Sequence, residues 1–270
     1  MKSKFLLLSA FFALYGLYGC KDKQIEPEPA KEYGKVKFNF THLVDGLPLD
    51  KDTMIYTNAA GNNYEVDQLM YFISDVTLHN SDGSTKLIDG WKDINYVDID
   101  LPAKLSWSVY DDIPVGTYNS ISFTFGISEA KNITMMYVNP PEVNMMWPSI
   151  LGGGYHYMMM NGKWKDTANV IQNFAFHLGI GQLYHSNVIN TDSIYAFVQN
   201  YFNVELPNST FTIEKDKTRQ IEIIMNIDSW FKTPYVYDHN YWGSGIMQNQ
   251  PAMQMAKDNG FDVFTTGLIQ

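Results

Sequence analysis

From Val36 onward the chain alternates apolar and polar residues with a spacing of two: Val36, Phe38, Phe40 and His42 share one side of an extended segment, and Lys37, Asn39 and Thr41 the other. Successive side chains of a strand point to opposite faces, so this period describes a half-buried strand and excludes a helix, whose period is 3.6. The same reading fits Tyr64 to Val66, Leu69 to Leu78 before the turn Asn80-Ser81-Asp82-Gly83, Ile94 to Ile99, Leu105 to Tyr110, and Tyr118 to Ile127 after Pro114-Val115-Gly116. Further strands are expected at Gly154 to Met160, Val170 to His177, Tyr195 to Leu206, Phe211 to Glu214 and Arg219 to Asp228. Many short strands punctuated by turns imply an all-β fold, an antiparallel sandwich or barrel, and we take the antiparallel β-sandwich with long loops as the expectation. The 15% aromatic content suits strands. Helix is scarce: one short C-terminal helix is expected over Met247 to Lys257, opened near Ser244, closed by Asn259-Gly260, with Pro251 in its first turns. Glu129 to Met146 contains Pro140-Pro141 and no clear period, and reads as a long loop of the kind that more often serves function than filling.

The first nineteen residues carry a different pattern. Lys2 and Lys4 precede an apolar run from Phe5 to Tyr18, long enough for a signal-peptide core and short of a membrane span. The run ends Leu17-Tyr18-Gly19-Cys20, which resembles a bacterial lipobox, and Cys20 is the only cysteine of the chain. The expected organisation is a signal peptide over 1–19, a lipidated Cys20 and polar tether over 20–35, and a single β domain over 36–270. This predicts an envelope lipoprotein held to a membrane by its N-terminal lipid, facing the periplasm or sitting at the outer membrane. One cysteine also excludes intrachain disulfides and thiolate-cluster metal sites. A net charge of −10 and a pI near 4.9 argue against nucleic acid as a partner.

The common enzyme signatures are missing: there is no G-x-x-x-x-G-K-[ST], H-E-x-x-H, G-x-S-x-G or EF-hand spacing, and Gly152-Gly153-Gly154 lacks the strand and helix that a phosphate cradle needs. No catalysis is expected. Asp98 and Asp100, and Asp111 and Asp112, read as solvated surface, with a weak calcium site as their functional reading. The informative excess is in soft ligands. The 14 methionines cluster at Met135-Met136, Met145-Met146, Met158 to Met160 and Met253-x-Met255, beside six histidines. Thioethers suit Cu(I), and imidazole serves both oxidation states of copper.

On a strand from Gly154 to Met160, His156, Met158 and Met160 would share a face, one nitrogen and two sulfur donors in line; the bland reading is a methionine-filled core with His156 at its rim. His177 and His42 each end an apolar strand, and would form a metal site if they met at one edge of the sandwich. His79, His185 and His239 lie near turns and read as surface residues. Trp147 is read either as an anchor packed into the core rim or as an oxidisable ring beside a metal.

Three stretches, Leu69 to Leu78 running on to Asp82-Gly83, Met146-Trp147-Pro148 through Gly154-Tyr155 to Asn161-Gly162, and Phe176-His177-Leu178-Gly179, carry a likeness that spans Val36 to Phe264. In them the sequence resembles the MbnP-like copper-binding proteins of bacterial envelopes. The resemblance implies a β-rich, cofactor-free exported domain that binds or acquires copper. In some members a tryptophan is oxidised to kynurenine by a partner dihaem, MauG-like peroxidase, with copper held nearby by His. Trp147 is the residue that matches by motif, and His177 matches the family's His-Leu-Gly stretch. One departure is plain: no Trp is separated from a His by a single intervening residue, an arrangement found in some of the copper binders. The leading expectation is therefore a non-catalytic, lipid-anchored copper-binding protein. The alternative is a surface lipoprotein that binds glycans or proteins through its 6 Trp and 18 Tyr.

Overall fold

The alternation seen in the sequence becomes two facing sheets. The computed structural model describes residues 30–186 and 189–270, so the expected signal peptide, Cys20 and most of the expected tether lie outside the described residues. The folded unit runs from Lys31 to Gln270. Nine strands carry the architecture: β1 (Tyr33–Val44), β2 (Asn63–Asn80), β3 (Ile94–Asp98), β4 (Gly116–Phe125), β5 (Met158–Lys165), β6 (Ile171–Leu178), β7 (Phe202–Leu206), β8 (Thr218–Asn226) and β9 (Phe264–Ile269). With shorter edge strands, β9, β8 and β1 make a six-stranded sheet; β6, β5, β2, β4 and β7, with β3 beside β2, make the core of a nine-stranded one. Val36, Phe38, Phe40 and His42 of β1 are buried while Lys37, Asn39 and Thr41 are not, as the period of two requires. The sheets meet through aromatic side chains: Phe264 of β9 packs on Tyr71, Phe123 and Phe125 of the larger sheet with centroids 5.3 to 6.1 Å apart.

The chain is thus an all-β sandwich, and it departs from the simplest antiparallel form at one pair. β1 and β8 run parallel, with Phe38 beside Ile221 and His42 beside Met225. Parallel neighbours need a crossover, and here the crossover is the whole of the second sheet. The segments Tyr64 to Val66 and Leu69 to Leu78 form one continuous β2, because Asp67 is accommodated as a bulge opposite Asn161 and Gly162 instead of breaking the strand. Tyr195 to Leu206 divides into Ile194–Val198, which pairs with Gly181–Tyr184 in a separate ribbon, and β7. The expected strand Gly154 to Met160 begins only at Met158, because Gly152, Gly153 and Gly154 all adopt positive φ and turn the chain. Helix α1 (His239–Trp242) is a single turn. The C-terminal helix α2 is Gln250–Asn259, three residues later than its pattern suggests, because Asn249 caps it by accepting from the Ala252 N–H and Pro251 occupies the first turn. Among the described residues no helix is long and apolar enough to cross a membrane.

One piece of irregular chain positions the site. Residues 127–155 lie over the outer face of the larger sheet. Tyr137 stacks on Phe72 of β2 at 6.1 Å and Tyr155 meets it edge-on at 6.2 Å. Lys131 is held between Asp75 and Asp93, and Glu142 between Lys92 and Lys104. The loop is therefore a fitted cover with Trp147 on its underside.

Candidate metal centre

Beneath that cover the structure brings together Trp147, His156 and His177. The three-glycine turn sends the chain back antiparallel to its own approach, so that Trp147 N–H donates to Gly154 O and His156 N–H to Met145 O. The His156 ring lies edge-on to Trp147, centroids 4.6 Å apart, and edge-on to His177 at 5.2 Å. Trp147 is 1% exposed, and its indole N–H donates to Leu151 O at 3.0 Å. Its ring fits against Gly179, where a Cβ would come within 2.6 Å of the six-membered ring. Gly179→Ala is accordingly expected to cost about 1–3 kcal/mol through overpacking and to shift the emission of Trp147, measured by chemical denaturation with fluorescence detection; unchanged stability would show that the indole is loosely held.

The hydrogen bonds select the tautomers. His156 Nδ1 lies 2.9 Å from Met145 O, an acceptor only, so Nδ1–H donates and Nε2 keeps its lone pair. His177 Nε2 lies 2.8 Å from Asn161 Oδ1, and the Asn161 amide nitrogen donates in turn to Gln68 Oε1 at 3.0 Å, which turns the amide oxygen to the imidazole. His177 thus donates from Nε2 and keeps its lone pair on Nδ1. Both lone-pair nitrogens, His156 Nε2 and His177 Nδ1, are buried without a hydrogen-bond partner. Leaving such atoms unpaired costs about 1–3 kcal/mol each. A ring held by one nitrogen and free at the other is how a metal-ligating histidine is oriented. Burial drives the His156 pKa down to about 4, against the opposing pull of the Met145 and Met146 carbonyls; burial and the neighbouring His156 drive His177 down to about 3. Both rings are neutral donors at neutral pH.

The other expected ligands lie elsewhere. Met159 pairs directly with His177 across β5 and β6, so those two share a face and Met158 and Met160 take the opposite one, where both are fully buried. His156 precedes the strand and does not continue their line. His42 also belongs to the inner side: its Nε2 is 3.1 Å from the hydroxyl of Tyr71, which stands opposite Met158. The sheet itself therefore separates His42 from His177, and the two do not meet at an edge. His42 instead faces a cleft of about 300 Å³ formed with Leu49, Lys51, Ile99 and Leu105.

Asp98 and Asp111 are buried, not solvated: Asp98 accepts from the Tyr96 hydroxyl, and Asp111 from Lys86 and the N–H groups of Asp89 and Gly90. Asp100 pairs with Lys51 and Asp112 with Lys35, so the calcium reading of these carboxylates has no support in the structure. His185 is exposed and His79 half-buried, but His239 is wholly buried against Trp164, Phe174, Phe231 and Tyr237. Its position near a turn concealed a residue that α1 carries inward. Among the described residues no three His, Cys, Asp or Glu side chains converge on a point that could hold a metal. The donor set beneath the cover is two imidazole nitrogens beside an indole.

Against this geometry stand the comparisons with known proteins. The MbnP family model matches residues 33–248. The chain belongs to the MbnP family. Among solved structures, MbnP from Methylosinus trichosporium is similar to this MbnP-family chain over 86% of its length and 98% of that protein's, with 14% identity and a TM-score of 0.54, a likeness of fold. Among curated proteins none matches. The family match takes in Trp147, His156 and His177 together and stops before α2 and β9.

Proposed function

We propose that this MbnP-family chain is a non-catalytic copper-binding protein of the bacterial envelope, and that His156 Nε2 and His177 Nδ1 hold the ion. The observation that carries the reading is the pair of neutral, buried imidazoles, each anchored through one nitrogen and each left with an unpaired lone pair on the other. Two nitrogen donors suit Cu(I), which accepts low coordination numbers, and the surrounding Trp147 and Met145 keep water away. Trp147 is the side chain we assign to oxidation to kynurenine by a haem peroxidase partner, its edge-on contact with His156 supporting the assignment; two oxygen atoms from peroxide would open the pyrrole ring and C2 would leave as formate, so that a ketone oxygen and the former indole nitrogen, now an aniline, would stand beside the ion. Attachment through Cys20 would keep the domain at the membrane.

Anaerobic titration of the mature chain with Cu(I) against a chromophoric chelator tests the reading. One equivalent withdrawn per chain is expected; a chelator left fully loaded rejects it. A second reading, glycan binding, is favoured by one observation: Trp91 is 87% exposed, held at φ +63°, with its ring 6.0 Å from that of Tyr110. A glycan array on the same sample separates the two, since copper handling gives no oligosaccharide signal.

A further inference from the structure

The register of the larger sheet places methionine sulfur on the histidine face, from residues other than those the spacing suggests. Met159 stands directly opposite His177 on one side of β5 and directly opposite Met70 of β2 on the other. Residues paired in this way project from the same face with Cβ atoms about 5 Å apart. Met70, Met159 and His177 therefore form one row across three strands, and Asn161, which orients His177, lies two residues along from Met159 on the same face. Met159 and Met70 are only partly buried, unlike Met158 and Met160, which fill the interior between the sheets. The free Nδ1 of His177 is the nitrogen not engaged by Asn161.

We propose that Met159 is a third, thioether ligand of the copper site, completing it beside His156 and His177. The inference rests on the copper reading above. A flexible, polarizable thioether reaches a soft ion without fixed geometry and prefers Cu(I) to the harder Cu(II). Its addition turns an imidazole pair, which any borderline cation would accept, into a site selective for Cu(I). The proposal has no redox step: the ion is bound and released as Cu(I).

The test labels the methionine methyl groups with ¹³C in the full mature chain, assigns the Met159 and Met70 resonances with Met159→Leu and Met70→Leu, and titrates with Cu(I) while chelator competition reports occupancy. Leucine preserves volume, so both variants should fold. The Met159 methyl is expected to shift in step with the first equivalent, while those of Met158 and Met160 stay in place. Met159→Leu is expected to weaken Cu(I) binding by at least about tenfold and leave Cu(II) affinity unchanged. Occupancy of the site with a stationary Met159 methyl, or equal loss of Cu(I) and Cu(II) affinity in Met159→Leu, overturns the thioether ligand and leaves the histidine reading intact. Absence of any Cu(I) uptake overturns both.

Discussion

His156→Ala combined with His177→Ala is expected to abolish uptake of the first equivalent of Cu(I), a loss of at least about a thousandfold, equivalent to about 4 kcal/mol. The size follows from the donor count: the proposed site has two imidazole nitrogens, and among the described residues no third His, Cys, Asp or Glu joins them in a group that could hold a metal. Each single variant should lose most of the binding, since a lone imidazole with one thioether makes a weak site. The double variant also removes two buried rings and leaves Met145 O and Asn161 Oδ1 without their donors, so some stability is lost, but the aromatic contacts between the sheets stay in place and the fold is expected to survive. Chelator competition gives the affinity and circular dichroism the fold. Undiminished one-to-one binding by a folded double variant would place the ion elsewhere and end the assignment.

The metal-free protein is expected to lose stability steeply on acidification. His42 and His239 are both lowered by burial from 6.5 to about 4, and neither is a proposed ligand. Above pH 6.5 folded and unfolded chains are alike neutral at these rings and stability is full. Between pH 6.5 and about 4 the unfolded chain takes up protons that the folded one refuses, so each ring removes about 1.4 kcal/mol per pH unit; below about 4 the loss is complete. His156 and His177, lowered for the same reason, add to the slope. Four such groups remove about 5 kcal/mol by pH 5.5 and about 12 kcal/mol by pH 4, a large part of a typical domain stability of about 5–15 kcal/mol. His239→Phe, which keeps a ring within the cage of Trp164, Phe174, Phe231 and Tyr237, should reduce the slope by about one proton. Denaturant midpoints measured at half-unit intervals of pH report this directly, and a stability flat from pH 7 to pH 4 would contradict burial of these imidazoles.

Much of this molecule could be read from its residues. The alternation of Val36, Phe38, Phe40 and His42 defined a strand and its inner face, and the turn signals near Asn80-Gly83 and Pro114-Gly116 bounded β2 and β4. His156, His177 and Trp147 were recognisable as candidates by their residue type and by likeness to a family. Extrapolating a period of two through Gly154 to Met160 failed at an identifiable place. The positive φ of Gly152 to Gly154 reverses the chain, so His156 is delivered by a turn while Met158 and Met160 obey the strand. Nearness to a turn reads His239 as a surface residue, yet it is fully buried, because such nearness says nothing about which way the next helical turn points.

What the chain determined by itself is local: strand period, turn position, residue chemistry and the class of fold, because each depends on neighbours one to four residues apart. Which donors share a face was decided only in three dimensions. Met159 rather than Met158 meets His177 because strand register depends on pairing between segments far apart in sequence, and a shift of one residue exchanges the two faces. The same long-range packing puts His42 on the far side of the sheet from His177 and closes residues 127–155 over the imidazole pair, setting two buried rings, each with one unpaired nitrogen, against each other where no stretch of sequence shows them adjacent.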